Sequence, residues 1–265
     1  ETSGSLNILF TDKTGTLTRG KLEVACFLTG DGAEYKKASE LRRRAPLWEL
    51  VELSCIQNSG SLLSEGRALG GNATDRALLE YAVSGKGRLT TGGNITKGRT
   101  IPFDSKNKFS AVELHGGREI TLVKGAPEKL LSACTRYYDE KGRVCPLPSR
   151  LFLEKKMKEL TSRAMRMLCL AVSEKPVQET GGFSDLILIG LTGIRDEVRP
   201  EARAAVRQVR EAGVQVVMIT GDNRETATAI ALEAGLLDRN AVHGGIPKNA
   251  VLTSAELNGM GDEEV

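Results

Sequence analysis

Asp12 closes an apolar run, Leu6 to Thr11, and is followed by Lys13-Thr14-Gly15-Thr16-Leu17-Thr18. A carboxylate with a cation beside it, a tight turn and several hydroxyl and amide donors has what a phosphoryl acceptor needs. An anionic nucleophile is repelled by a polyanionic phosphate unless cations neutralise the site, so the neighbours matter as much as the acid. Toward the other end, Val214 to Ile219 leads into Thr220-Gly221-Asp222-Asn223. Thr220 and Gly221 fall where a helix begins, so backbone amides and a hydroxyl there can hold phosphate oxygens. Asp222 can cap that helix or reach toward a metal or nucleotide. Between these flanks, Phe103 and Lys108 lie in Ile101-Pro102-Phe103-Asp104-Ser105-Lys106-Asn107-Lys108, Lys124 and Gly125 open Lys124-Gly125-Ala126-Pro127-Glu128, and Asp75 follows Asn72-Ala73-Thr74. Arg166 stands ahead of an apolar segment, and Arg199 lies in Asp196-Glu197-Val198-Arg199-Pro200. Taken singly, each has a plainer reading: Phe103 as core, Asp75 as a first-turn helix acid, the arginines as surface charge.

The elements that must position these groups follow from periodicity. Leu6 to Thr11 reads as a buried strand with an acid at its carboxyl end. Pro200 to Ala212 begins with Pro and stops at Gly213, the pattern of a helix. Val214 to Ile219 is a strand, and Arg224 to Leu236 has helical spacing. Strand, helix, strand, helix implies a parallel α/β sheet, in which reacting groups collect at the carboxyl ends of the strands. The middle has another texture. Leu47 to Cys55 and Ala73 to Val83 read as helices, and Thr100 to Val112 and Glu119 to Lys124 alternate like antiparallel strands. Helices follow at Glu128 to Ala133 and Ser149 to Met167, then strands at Leu168 to Ser173 and Leu186 to Ile194. The gaps 60–71, 85–98 and 175–182 are Gly- and Ser-containing loops. The expected organisation is one α/β domain split by a long insertion that folds separately.

Composition excludes several classes. The 265 residues exceed the usual single domain, and 40% hydrophobic with 27% charged residues describes a soluble globular protein. Thirty-seven basic against 34 acidic side chains give a net charge of +3, which singles out no partner. The cluster Arg42-Arg43-Arg44 reads as a solvated helix face, and nucleic acid is not expected as a partner. Five scattered cysteines without a C-x-x-C pair, and only two histidines, argue for reduced thiols and against structural zinc. The longest apolar run, Leu186 to Leu191, is far below the roughly 20 residues of a spanning helix. With no initiator Met and no signal peptide, the chain reads as an excised piece.

The seven residues Asp12 to Thr18 match the phosphorylation motif of P-type ATPases, and the chain resembles that family over essentially its whole length. The segments opening at Lys124, Arg166, Asp196 and Met218 recur in the family's order. The resemblance implies a partial haloacid-dehalogenase-like parallel sheet, residues 1–20 and 195–265, interrupted at 21–194 by a nucleotide-binding domain of antiparallel sheet plus helices. It implies that Asp12 takes the γ-phosphate of ATP, with Lys13, Thr14, Thr220, Gly221 and Asp222 in support, and that Asp12 and the Thr14 carbonyl share Mg²⁺. For the insertion it implies Phe103 stacking on adenine, Lys108, Lys124 and Gly125 close to the nucleotide, Arg166 near the β-phosphate and Arg199 near the hinge. Asp75, which falls where relatives usually carry Glu, and Arg199 are counted with them among the nucleotide-binding residues.

The segments around Gly193 to Asp196 and Gly71 to Leu79 look most like calcium pumps of the plasma-membrane and bacterial kinds. This implies a place on the cytoplasmic face of a bacterial plasma membrane, with actuator and membrane domains as intramolecular partners and the transported cation bound by the latter. The family's lysine-bearing strand and Gly-Asp-Gly-x-Asn-Asp loop do not occur in these residues. The chain is therefore expected to bind ATP and to phosphorylate Asp12 poorly by itself. The alternatives are a haloacid-dehalogenase-type phosphatase, in which a second Asp would stand at the position of Thr14, and a nucleotide-binding module without chemistry.

Overall fold

A computed structural model describes residues 6–84, 95–117, 119–176, 183–222, 224–238 and 250–260. Asn223 and most of the expected loops at 85–98 and 175–182 lie outside these residues. The chain divides into two compact units, one of Glu1–Lys21, Thr161–Ala164 and Asp196–Val265, the other of Leu22–Leu160 and Met165–Arg195.

The larger unit is built on a mostly antiparallel sheet. Its strands are β2 (Thr18–Leu28), β3 (Glu34–Tyr35), β6 (Thr96–Asp104), β7 (Phe109–His115), β8 (Ile120–Gly125), β9 (Cys134–Tyr138), β10 (Val144–Pro146), β11 (Arg166–Ser173) and β12 (Leu186–Val198). The order is β10-β9-β12-β11-β8-β7-β6, with β2 also paired to β12 and β3 to β2. Strand alternation, with a bulge at Ile189 that switches its register, explains why Leu186 to Leu191 is largely apolar. Ile187 and Ile189 face one core with Leu170 and Val172, while Leu186, Leu188 and Leu191 face the other with Cys169 and Ala171. Both faces of the sheet are covered, so both registers of the two-residue period must be apolar.

The first face is covered by α1 (Ala38–Arg42), α2 (Ala45–Gln57) and α3 (Ala73–Val83), through Leu41, Leu47, Leu50, Leu78 and Tyr81. The second is covered by α4 (Pro127–Leu130) and α5 (Arg150–Thr161), through Leu130 and Leu153. Pro46 lies in the first turn of α2, where a missing N–H costs nothing. α3 starts at Asn72, whose side chain accepts the Asp75 N–H at 2.8 Å. Between α2 and α3, β4 (Ser61–Ser64) and β5 (Arg67–Gly70) form a hairpin. Its two turn residues, Glu65 and Gly66, both have positive φ, which matches the twist of the strands they join.

Two expectations are corrected here. The helix expected over Ser149 to Met167 ends at Thr161. Ala164 takes a left-handed φ of 59° and Met165 N bonds to Leu160 O at 3.3 Å, so the chain reverses and Arg166 opens a strand. Nor is Arg42-Arg43-Arg44 a solvated helix face. α1 stops at Arg42, whose guanidinium lies 4.8 Å over the Trp48 ring and donates to Ala82 O and Ser84 Oγ; Arg44 pairs with Glu140 at 2.9 Å.

In the smaller unit, β1 (Ile8–Asp12) and β13 (Gln215–Ile219) pair in parallel, with Ile8 opposite Gln215 and Asp12 opposite Ile219. α6 (Ala202–Glu211) turns Ala202 and Val206 onto Leu17, with Val198, Met218 and Leu236 packed around them. α7 (Arg224–Ala234) follows β13, and a short helix spans Ser254–Asn258. β1 is not the buried strand its composition implies. Ile8 and Leu9 are exposed and Phe10 is 62% exposed, because among the described residues β1 pairs with β13 alone and its apolar faces have little to pack on.

Candidate functional site

The parallel register of β1 and β13 decides where the chemistry-bearing residues of the smaller unit fall. Asp12 lies opposite Ile219, so the loops Lys13–Leu17 and 220–222 leave the two strands at the same end. The Asp12 carboxylate is exposed there. The chain then turns sharply at Gly15, whose φ of 78° suits a residue without a Cβ.

Side chains outside the loop fix its path. Thr18 Oγ1 lies 2.6 Å from Asp196 Oδ2 and 3.0 Å from Lys13 O, and accepts the Gly15 N–H at 3.3 Å. The other oxygen of Asp196 accepts Gly20 N–H at 2.9 Å and Lys21 N–H at 3.2 Å. Arg199 donates its backbone N–H to Leu17 O at 2.9 Å, Nε to Thr18 O at 3.1 Å and Nη2 to Gly15 O at 3.0 Å. Its guanidinium is thus engaged by the carbonyls of the loop after Asp12. Asp196 was visible in the sequence only as part of a motif, and its grip on residues 18–21 bridges a sequence separation no local pattern reports.

On the adjoining loop, Thr220 Oγ1 accepts the Asp222 N–H at 3.2 Å, and Gly221 has open space where a Cβ would point. Lys13 Nζ stands 2.8 Å from Asp222 Oδ2. The structure therefore brings Asp12, Lys13, Thr14, Thr220, Gly221 and Asp222 to one end of a strand pair. Among the described residues no group of three or more His, Cys, Asp or Glu side chains could by itself hold a metal ion. The oxygens the sequence nominates are the Asp12 carboxylate and the Thr14 carbonyl. These are hard donors of the kind Mg²⁺ takes in ones and twos, completing its octahedron with water and substrate phosphate.

In the larger unit, four of the candidates form one neighbourhood. Lys124 and Gly125 end β8, opposite Ser110 and Phe109 of β7. Lys108, with a φ of 58°, closes the turn before β7; its N–H reaches Asp104 O at 2.7 Å and its carbonyl accepts Ala126 N–H at 3.0 Å. Its ammonium lies 3.2 Å from Glu128 Oε1. A Cβ on Gly125 would fall 2.6 Å from Lys108 O and 2.8 Å from Phe109 Cβ, so glycine is required by the approach of the two strands.

Lys124 is 5% exposed and Asp75 6%. The ammonium donates to Asp75 Oδ1 and to Asn58 O. Asp75 Oδ2 accepts Gly60 N–H at 3.0 Å and Asn72 Nδ2 at 3.4 Å. Asn58 in turn donates Nδ2 to Ser110 O at 3.2 Å and Leu122 O at 3.3 Å, tying the end of α2 to β7 and β8. Beside this node, burial pushes the Cys55 thiol up to about 12, leaving it uncharged and inert. Phe103 is 53% exposed on β6, and Arg166 is exposed at the start of β11, opposite Ile194. Asn58 and Gly60 carried no sequence signal, since what marks them is contact with residues far along the chain.

With this geometry in view, comparison with known proteins is informative. The profile described as P-type ATPase, cytoplasmic domain N, matches residues 47–201. The chain is 34% identical over 260 residues to the plasma-membrane-type calcium-transporting ATPase 3 of Oryza sativa subsp. japonica, an alignment covering 91% of this chain and 25% of that protein. It is 30% identical over 290 residues to a calcium-transporting ATPase of Bacillus subtilis, covering 100% and 32%, and 29% identical over 279 residues to one of Listeria monocytogenes, covering 100% and 30%. The chain thus spans about a quarter to a third of the length of these relatives.

Proposed function

Because the chain belongs to the P-type ATPase family, we propose that it is the ATP-binding and phosphoryl-accepting region of a calcium pump on the cytoplasmic face of a bacterial plasma membrane. Residues 1–20 and 195–265 form its phosphorylation domain, of haloacid-dehalogenase-like type, and 21–194 its nucleotide-binding domain. The two compact units support this division. No helix among the described residues is long and apolar enough to cross a membrane, and the transported cation is assigned to membrane segments of a longer polypeptide. The actuator and membrane domains of that polypeptide are its partners.

One observation carries the reading: Asp12 and the 220–222 loop leave a parallel strand pair at the same end, with Lys13 and Asp222 in contact. A carboxylate oxygen of Asp12 attacks the γ-phosphorus of ATP. The bond from that phosphorus to the β,γ-bridging oxygen breaks, ADP departs with the electron pair, and an acyl phosphate remains on Asp12. Aspartyl phosphates of ATPases are a standing instance of carboxylate nucleophilic catalysis. Catalysis of such a transfer rests on positioning and charge rather than covalent assistance. Arg199 and Asp196 hold the loop rigid behind the nucleophile. Lys13 brings a positive charge toward the phosphoryl oxygens, and Thr220 with the Gly221 amide supplies hydrogen-bond donors. Mg²⁺, held by Asp12 and the Thr14 carbonyl, would supply charge neutralisation.

In the nucleotide-binding domain the exposed ring of Phe103 offers a stacking face for the base, while Lys108, Lys124 and Gly125 flank the same neighbourhood and Arg166 is available to a phosphate. Phe103→Ala tests this cleanly, because the ring is exposed and its loss leaves the core intact. Titration calorimetry of the chain with ATP is expected to show binding weakened roughly tenfold in that variant, a stacking contribution of about 1–3 kcal/mol. Unchanged affinity would remove the nucleotide-site assignment.

A further inference from the structure

Resting on that nucleotide reading, we infer that Glu128 is a positioning residue that parks the Lys108 ammonium in competition with the nucleotide, so that a phosphate group must displace the Glu128 carboxylate to gain the cation. Lys108 Nζ lies 3.2 Å from Glu128 Oε1, and the two side chains are 52% and 63% exposed. Packing holds neither of them. An exposed pair of this kind is weak and exchanges its partners readily. A phosphate, with more charge and several strong acceptor oxygens, outcompetes a single carboxylate for the same ammonium.

The backbones that carry the two side chains are braced, so the exchange involves side chains alone. Lys108 donates its N–H to Asp104 O at 2.7 Å, and its carbonyl accepts the Ala126 N–H at 3.0 Å. Ala126 is the residue from which α4 starts, with Glu128 in the first turn. One hydrogen bond thus sets the turn and the helix start side by side. Asp104, the other acid of the turn, is already engaged: its oxygens accept Lys106 N–H at 3.3 Å and Asn107 N–H at 3.1 Å. Lys108 itself has a φ of 58°, a conformation that strains a residue with a Cβ and that clusters at ligand-handling positions. Glycine would sit there more easily, so the lysine stands against the preference of the backbone. Phe103, 53% exposed, places the stacking face at one end of the stretch 103–108 and Lys108 places the cation at the other.

The pair lowers the fraction of Lys108 ready for phosphate, and apparent affinity falls with that fraction. The test is calorimetric titration of ATP and of adenosine into the unaltered chain, Glu128→Gln, Lys108→Gly and the double variant, at low ionic strength where exposed charges are least screened. Lys108→Gly suits the φ of the position and removes the ammonium without straining the turn. Glu128→Gln is expected to bind ATP about two- to fivefold more tightly, with adenosine unmoved. In the Lys108→Gly background the same substitution should change ATP affinity by less than about 1.5-fold. Unchanged or weakened ATP affinity in Glu128→Gln overturns the inference. So does a tightening that survives in Lys108→Gly, which would make Glu128 a general repulsive charge, or one that adenosine shares. The four ATP titrations decide the matter even where adenosine binds too weakly to follow. All of these failures leave Phe103→Ala still weakening ATP. Should ATP not bind, or should Phe103→Ala leave its binding untouched, the nucleotide reading itself falls and takes the inference with it.

Discussion

Lys13 Nζ rests 2.8 Å from Asp222 Oδ2, with the two side chains 13% and 26% exposed. The pair joins the residue after Asp12 to the loop that follows the neighbouring parallel strand. Asp222→Ala is expected to destabilise the chain by about 1 kcal/mol, the scale of a partly exposed ion pair. Urea denaturation followed by circular dichroism checks this. A loss several times larger would mean that Asp222 holds more of the loop than Lys13 alone.

Lys124 and Asp75 form a pair of a different kind, buried on both sides. Lys124→Met leaves a carboxylate in the core without its counter-charge, which costs about 3–5 kcal/mol. The double variant Lys124→Met, Asp75→Leu is expected to regain much of that loss, since an apolar pair of similar size removes the stranded charge. Denaturation midpoints of the three chains give the comparison. Equal stability of the single variant and the parent would contradict the buried pair. This cost also means that weakened ATP binding in a Lys124 variant cannot be read as a lost ligand contact.

Two glycines at candidate positions are expected to behave oppositely. Gly125→Ala forces a Cβ to within 2.6 Å of the Lys108 carbonyl and is expected to cost about 1–3 kcal/mol. Gly221→Ala meets nothing within 4 Å and should fall within about 0.5 kcal/mol of the parent. Thermal melts of both variants distinguish the two cases; similar losses would show that the approach of β7 to β8 is not what Gly125 serves.

His115 and Glu119, 2.6 Å apart across the turn between β7 and β8, give the chain a pH signature. The hydrogen bond to Glu119 raises the His115 pKa, and the bond from His115, with the Gly116 N–H, lowers that of Glu119. The raised histidine contributes fully below its ordinary pKa, and that contribution fades as pH rises through the raised value. The lowered carboxylate contributes above its ordinary pKa and loses its contribution as pH falls through the lowered value. The pair therefore acts in the window between. Proton NMR should show the His115 ring titrating above 6.5, the ordinary histidine value, and moving back toward it in Glu119→Gln. A midpoint unmoved by that substitution would exclude the contact.

How far these arrangements could be read beforehand depends on the distance over which each is determined. α3 was legible to the residue, because Asn72 caps it locally and its apolar spacing is regular. The positions of β13 and α7 followed from Gly and Pro punctuation in the same way. The burial of β1 was misjudged because burial belongs to neighbours and not to the strand: Phe10 is apolar and still 62% exposed. The helix over 149–167 was overextended because nothing in Arg163 or Ala164 announces a left-handed backbone, which non-glycine residues adopt only when the surroundings impose it. At the candidate site, local motif could flag Asp75, Lys124 and Asp196. It could not say that Asp75 faces Lys124, or that Asp196 grips Thr18, since those pairings are created by the sheet that brings distant segments side by side.

The pairing of Ile8 with Gln215 also has a consequence for the order of folding. Two strands from opposite ends of the chain must find each other in parallel, and the entropy of closing a loop rises with its length. The strands β6, β7 and β8 are consecutive hairpins that need no such search. Once the large sheet has formed, β2 and β12 are already joined. The long excursion between β1 and β13 then counts as a short one, each halving of its effective length easing closure by about 0.6 kcal/mol. The strand carrying Asp12 should therefore be the last to acquire its partner. In pulse-labelled hydrogen exchange, protection of amides in residues 8–12 should lag behind that of residues 109–125.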